Sequence, residues 1–151
     1  MTSTSNKVFI DTSVLVEALK GKKVNFYVDL VSKVENDFFI NEAVLSEYLY
    51  YFLGINGGAS PRSLQEKNKI AQTIEAHINE IIVLENFSLI AGTQSFLKAV
   101  PELMSKYNLL PNDAIILATC KSHNITTLAS HDNDFINPCK EEGIELLREE
   151  D

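Results

Sequence analysis

The sequence has 151 residues, 45% of them hydrophobic and 23% charged, which is an ordinary globular composition and predicts a single domain over residues 1–151. Its formal net charge of −8 argues against a nucleic-acid partner, because phosphate binding usually accompanies a basic excess. Five of the 21 acidic residues fall at one predicted site and three more end the chain, so the net charge alone does not exclude nucleic-acid binding.

The compartment is predicted from the apolar runs and the cysteines. The longest apolar runs are too short to span a bilayer, and the first residues lead into a strand without the apolar stretch of a signal peptide. Cys120 and Cys139 form no Cys-x-x-Cys pair, which favours reduced structural thiols. We therefore expect a cytoplasmic protein that does not bind a membrane.

The first third of the chain predicts two strands, each followed by a helix. Residues 8–10 form a short apolar strand that ends in Asp11, and residues 14–19 and 24–34 follow with helical periodicity. Residues 38–40 form the second strand. Asp11 is therefore predicted at the carboxyl end of a strand.

Asn41 is predicted to cap the next helix, which runs to about residue 52. Glu47 lies at the edge of the apolar arc of this helix, from where it can reach a pocket. A solvated helix glutamate is the competing interpretation, and position alone favours it. The glycine-rich residues 54–61 predict a loop that contacts substrate or acts as a lid.

The middle of the chain is predicted to be largely helical. Isoleucines at spacing four over residues 70–82 predict a helix that gives way to a strand near residues 81–84. Residues 89–107 have helical periodicity interrupted by Pro101, which predicts two helices or one kinked helix. Residues 144–147 predict a last edge strand. Strands that alternate with helices indicate a three-layer α/β/α sandwich with a central, mostly parallel sheet.

Residues 111–135 contain the least expected residue of the chain, Asp113, at the start of a helix that is apolar on nearly every side. The structural alternative is that Asn112 caps this helix and Asp113 favours its dipole. A short buried strand over residues 125–129 follows, and Asp132 and Asp134 come directly after it. Because ligands bind at the carboxyl ends of parallel strands, we expect Asp113 and Asp132 to meet.

Five carboxylates are thus predicted at one edge of the sheet: Asp11, Glu47, Asp113, Asp132 and Asp134. Their mutual repulsion in a partly buried pocket costs several kcal/mol, so a cation is expected among them. Oxygen ligands without a histidine or cysteine cluster indicate Mg²⁺ or Mn²⁺ rather than zinc. Such ions activate water and stabilise a leaving oxygen, which predicts phosphodiester hydrolysis.

Four segments, VFIDTSVL, AVLSEYLY, LLPNDAIILATC and TLASHDNDF, resemble in this order and spacing the PIN-domain nucleases over nearly the whole chain. The resemblance implies a PIN-like fold and a Mg²⁺- or Mn²⁺-dependent endoribonuclease. It implies a catalytic and metal-binding quartet of Asp11, Glu47, Asp113 and Asp132. It also implies auxiliary roles for Asp134 and for the small hydroxyl residues Thr12, Ser13 and Ser130, where Ser130 replaces a more usual threonine.

The resemblance further implies partners without fixing the biological role. Many members are toxins of toxin–antitoxin pairs of the VapC type, and others process or decay RNA. An RNA substrate, a small antitoxin protein and a homodimer are therefore expected. A catalytically weak PIN-like binding module is the alternative, against which the complete quartet argues. Two other families do not fit this sequence. A haloacid-dehalogenase-type phosphatase needs a second aspartate where Ser13 stands, and a response-regulator receiver needs a paired acidic cluster and a late lysine after a strand.

The predicted chemistry also fixes the products and the form of the RNA. The predicted carboxylates serve as metal ligands, and no histidine pair accompanies them to assist the 2′-hydroxyl, so water is the expected nucleophile and the products carry a 5′-phosphate and a 3′-hydroxyl. Single strands are the expected substrate, because an acidic pocket surrounded by scattered lysines does not grip a duplex along its length.

Overall fold

A computed structural model describes residues 5–149, which contain five strands and nine α-helices. The strands are β1 (Asn6–Ile10), β2 (Asn36–Ile40), β3 (Ser88–Leu89), β4 (Thr127–Ala129) and β5 (Glu145–Leu147). The helices are α1 (Thr12–Leu19), α2 (Val24–Val31), α3 (Glu42–Asn56), α4 (Pro61–Glu66), α5 (Ile70–Ala76), α6 (Ile78–Ile82), α7 (Phe96–Tyr107), α8 (Pro111–Ser122) and α9 (Ile136–Glu142). Two 3₁₀ turns cover Val83–Asn86 and Asn133–Phe135.

The strands form one parallel sheet in the order β3-β2-β1-β4-β5. The chain moves outward from β1 to β3, then crosses back to β4 and continues outward to β5. Because crossovers between parallel strands are right-handed, the helices before β3 and those after it cover opposite faces of the sheet. The predicted α/β/α sandwich is confirmed, with every pairing parallel. The strand order reverses between β1 and β4, which is where such sheets leave a crevice for ligands.

The centre of the core lies on β1 and α8. Val8, Phe9 and Ile10 are buried, as expected for a central parallel strand with both faces covered. In α8, Ala114 and every residue from 116 to 120 are buried. Within residues 5–149, no helix combines the length and apolarity needed to cross a bilayer.

The predicted elements of the middle segment need correction. The helix over residues 70–82 is two helices, α5 and α6, separated at His77. The strand near residues 81–84 is wrong, because the helical spacing continues through Ile82 into a 3₁₀ turn. The third strand instead pairs Ser88 and Leu89 with the end of β2. The segment after it contains one helix, α7, which includes Pro101.

The two helix caps that the sequence suggested, one predicted and one an alternative, have opposite outcomes. Asn41 caps α3, because its Oδ1 accepts a hydrogen bond of 3.0 Å from the backbone N–H of Val44. The structural alternative for Asp113, in which Asn112 caps α8, does not hold, because Leu110 occupies the cap position. Pro111 occupies the first helical position, where its fixed φ suits the turn, so Asn112 already lies inside the helix.

The predicted glycine-rich loop is shorter than expected. α3 continues to Asn56 and α4 begins at Pro61, which leaves residues 57–60 between them. A Cβ atom on Gly57 would collide with the side chain of Leu64, so this turn packs tightly against α4. None of these four residues lines the acidic site described next.

Candidate active site

The site lies at the carboxyl ends of the neighbouring strands β1 and β4. Ile10 pairs with Ala129, and the backbone N–H of Asp11 donates to the carbonyl of Ala129 at 2.9 Å. The chain therefore leaves β4 beside Asp11, and the segment that follows places Asp132 in the same cleft as Asp11. Both residues lie at the same edge, as their positions after strands predicted.

Helices α3 and α8 add two further carboxylates and form with these strand ends a cleft, here called the acidic cleft. Its two lobes share four lining residues, Glu47, Tyr51, Asp113 and Asp132. The strand lobe, of about 260 Å³, adds Asp11, Thr12, Ser13, Val16, Glu17 and Lys20. The helix lobe, of about 470 Å³, adds Leu110, Pro111, Asn112 and Asp134.

Three of the carboxylates are especially close together. Asp113, Asp132 and Asp134 each present an oxygen atom, and these atoms lie within 4.8 Å of one another. Asp134, predicted as auxiliary, thus belongs to the tightest group. Asp11 and Glu47 line the same cleft, and a carboxylate oxygen of Glu47 accepts a hydrogen bond from the side-chain amide of Asn112.

Two serine hydroxyls connect Asp11 to the segment that carries Asp132. The hydroxyls of Ser13 and Ser130 each donate to Asp11 Oδ2 at 2.7 Å. Ser13 Oγ also accepts from the backbone N–H of His131 at 2.9 Å, and Ser130 Oγ accepts from that of Asp132 at 3.0 Å. Each hydroxyl is used once as donor and once as acceptor, so together they fix the carboxylate and the loop relative to each other.

Thr12 has a buried hydroxyl and lies beside the cleft. The residue is 3% exposed and lines the strand lobe, and its hydroxyl has no hydrogen-bond partner among residues 5–149. An unsatisfied buried hydroxyl costs about 1–3 kcal/mol, so a hydrogen-bond partner for it would stabilise the protein.

The electrostatics of the cleft favour a bound cation. Burial, followed by the negative charges of its neighbours, of which Asp132 is the strongest, raises the pKa of Asp113 from 3.8 to about 7. Burial also raises the pKa of Asp11, although hydrogen bonds from Ser13 and Ser130 oppose this. The donors are carboxylate and hydroxyl oxygens, which suit a hard divalent cation such as Mg²⁺ or Mn²⁺.

Among the cleft residues other than the predicted carboxylates, sequence reasoning identified Thr12 and Ser13 and missed the rest. Tyr51 lies one helical turn after Glu47 on α3, and that spacing was the available signal. Asn112 and Leu110 flank Pro111, where the sequence suggested a cap or a loop and not a wall of the site. His131 is not a cleft residue, because its ring packs edge-on against Phe26 with 5.0 Å between ring centroids.

The fold and the site define an α/β protein with an acidic centre at the switch point of a parallel sheet. A model of the PIN domain matches residues 8–141, and the chain belongs to the PIN domain family. Two relatives come from Methanocaldococcus jannaschii. Ribonuclease VapC6 is 34% identical, and the match covers 95% of this chain and 98% of the relative. Ribonuclease VapC2 is 33% identical, and the match covers 86% of this chain and 87% of the relative.

Solved structures share the same fold at lower identity. A chain of the VapBC-1 structure from nontypeable Haemophilus influenzae is 13% identical with a TM-score of 0.64, and covers 94% of this chain and 97% of its own. A chain of the VapBC2 structure from Rickettsia felis, bound to a DNA fragment from its promoter, is 16% identical with a TM-score of 0.61. The match covers 95% of this chain and 99% of that chain. These similarities show that the chain shares its fold with both structures.

Proposed function

We propose that the protein is a divalent-metal-dependent endoribonuclease that hydrolyses single-stranded RNA and acts as the toxin of a toxin–antitoxin pair. The observation that carries the proposal is the gathering of the five predicted carboxylates, together with Glu17, in one cleft at the switch point of the sheet. The family and the two relatives named as ribonucleases support it.

The carboxylates Asp11, Glu47, Asp113 and Asp132 would hold Mg²⁺ or Mn²⁺, with Asp134 close enough to join them. When bound, the cation supplies an acidified water molecule and positive charge near the leaving oxygen. Ser13 and Ser130 orient Asp11 through their hydroxyl protons, and Asn112 orients Glu47. Asp113, with its pKa of about 7, must lose its proton before it can act as a ligand.

Hydrolysis in this cleft uses water as the nucleophile. The side chains that line the two lobes include no histidine, so no imidazole pair is present there to activate the ribose 2′-hydroxyl. Thr12 lines the strand lobe, but its hydroxyl is buried, so a phosphate oxygen or water would reach it only if the side chain turned towards the cleft. The expected products are a 5′-phosphate and a 3′-hydroxyl.

The toxin role adds a protein partner to the proposal. Several structures with the same fold are described as toxin–antitoxin or VapBC complexes, which supports a small antitoxin that covers the acidic cleft. An RNA-processing or decay nuclease without an antitoxin is the alternative. The homodimer stays a prediction. A short reading frame that abuts this one would favour the toxin over the processing nuclease.

Expression of the protein alone in a bacterial host is expected to arrest growth and to leave cellular RNA in fragments, because its nuclease would act without an antitoxin. The Asp11→Asn protein is expected to do neither. Growth curves and gel analysis of total RNA from the same cultures measure both effects.

Glu42→Gln is the matched control, since Glu42 is an exposed first-turn carboxylate of α3 outside the cleft, and it should remain toxic. Arrest by the Asp11→Asn protein at equal expression would contradict the proposal. Normal growth with a protein that cleaves RNA after purification would favour the processing nuclease over the toxin.

A further inference from the structure

Two apolar side chains wall the helix lobe of the acidic cleft. Tyr51 on α3 is 47% exposed, and Leu110, directly before α8, is 75% exposed. Both line the same cavity as Asp113 and Asp132. A single exposed apolar residue is ordinary on a protein surface. An aromatic ring and a leucine that share a cavity with a proposed phosphodiester site indicate a ligand with both a charged and an apolar part.

We propose that the helix lobe binds one unstacked nucleobase of the RNA substrate, with Tyr51 stacking on the face of the base and Leu110 covering its edge. This inference rests on the proposed function, because the metal ion that the carboxylates would hold binds the phosphate next to that base. The cavity, at about 470 Å³, is in the size range of small-molecule sites. Tyr51 lines both lobes, so it lies at the junction of the base and its phosphate.

The distribution of charge assigns the base to the helix lobe and the backbone to the strand lobe. Lys20 lines the strand lobe and is the one basic side chain lining either lobe in the described part of the chain. Its ammonium group lies 3.9 Å from Glu17, a distance that leaves it available to a phosphate. The residues that only the helix lobe adds, Leu110, Pro111, Asn112 and Asp134, include no basic side chain with which a phosphate away from the metal could pair. A neutral base needs no such partner.

This arrangement selects single-stranded RNA by a physical mechanism. A base in a duplex is already stacked and paired, so it reaches Tyr51 only after it leaves the helix. An unpaired base stacks on the ring with little preference for its identity, because every base has a π-face. The helix lobe would therefore favour single strands and leave sequence preference to other contacts.

The test measures RNA binding in the Asp113→Asn protein, which should keep the RNA intact. A short fluorescent single-stranded oligoribonucleotide is titrated with this protein, and anisotropy gives the Kd. Adding Tyr51→Ala is expected to weaken binding about tenfold, within the range for loss of one base–aromatic stack. Tyr51→Phe keeps the ring and should bind like the parent. Leu110→Ala should weaken binding about threefold.

Matched controls come from exposed residues outside the cleft. Tyr50→Ala removes the neighbouring tyrosine, which is 61% exposed, and Leu97→Ala removes a leucine as exposed as Leu110, at 75%. Neither residue lines a lobe of the cleft. Both variants are expected to bind RNA as tightly as the parent.

A series of oligonucleotides, each with one abasic ribose, separates stacking from a structural effect. One of them should bind about tenfold more weakly to the parent, and on that RNA Tyr51→Ala should cause no further loss. Unchanged RNA affinity of the Tyr51→Ala protein, or an equal loss on every abasic RNA, would overturn the inference. A Tyr51→Ala protein that loses binding to a protein partner while its RNA affinity is unchanged would also overturn the inference. A wild type that binds but does not cleave RNA would remove the proposed function and leave the base site intact.

Discussion

The Asp113→Asn protein is expected to cleave single-stranded RNA at least about a thousandfold more slowly than the wild type. Asp113 belongs to the group of three carboxylates whose oxygens lie within 4.8 Å, and it also lines both lobes. The amide keeps the size of the side chain but removes one negative charge and one anionic oxygen. Initial rates on end-labelled RNA with Mn²⁺ measure the loss.

Other substitutions give a graded series around this result. Asp132→Asn and Asp11→Asn should lose activity to a similar degree. Asp134→Asn should lose less, because Asp134 is exposed. Glu42→Gln, which removes a carboxylate at the start of α3 and outside the cleft, should cleave like the wild type. An Asp113→Asn protein within tenfold of the wild-type rate would contradict the proposed role of this residue.

Metal binding is expected to raise the free energy of unfolding by about 2.7 kcal/mol at a concentration 100 times the Kd, which corresponds to a melting temperature several degrees higher. The physical reason is that the folded protein concentrates carboxylates that the unfolded chain separates. Thermal melts with Mn²⁺ and with EDTA measure the difference. Superimposed melting curves would contradict a metal centre.

The same carboxylates give the metal-free protein a characteristic pH dependence. The pKa of Asp113 is about 7 in the folded protein and 3.8 as its ordinary value, so between about pH 4 and pH 7 the folded state holds more protons than the unfolded state. Stability in EDTA should therefore fall as pH rises through this window, by about 2 kcal/mol after allowance for solvent screening. The raised pKa of Asp11 acts in the same direction.

Asp113→Asn is the control for that dependence. The variant lacks the titrating carboxylate, so in EDTA near neutral pH it should melt at a higher temperature than the wild type, and its stability should change less with pH. With saturating Mn²⁺ the order should reverse, because the wild type retains the ligand. A variant that melts below the wild type in EDTA would contradict the electrostatic description of the cleft.

The fold could be predicted where one physical signal dominated. β1 is a short apolar run because both of its faces are buried, and Asn41 has the side chain that a helix start requires. β3 gave no signal, because two exposed residues at the edge of a sheet have no periodicity. The isoleucines that precede it favour a helix by spacing and a strand by residue type, and spacing decided the outcome.

The candidate site was predictable to the extent that it depends on strand ends. Asp11 and Asp132 follow neighbouring strands, so their convergence follows from the topology. The closeness of Asp134 to Asp113 depends on the turn after β4, in which Asp132 Oδ1 accepts from the backbone N–H of Asp134. The place of Leu110 in the cleft depends on how α8 meets α3, which no local pattern reports.

The chemistry of the RNA ends tests the central claim most directly. End-labelled single-stranded RNA is incubated with protein and Mn²⁺, and the fragments are analysed by mass and by sensitivity to phosphatase. Hydrolysis by metal-activated water in the acidic cleft predicts a 5′-phosphate and a 3′-hydroxyl, no cleavage in EDTA and no cleavage by the Asp113→Asn protein. Fragments that end in a 2′,3′-cyclic phosphate, or cleavage that survives EDTA, would contradict it.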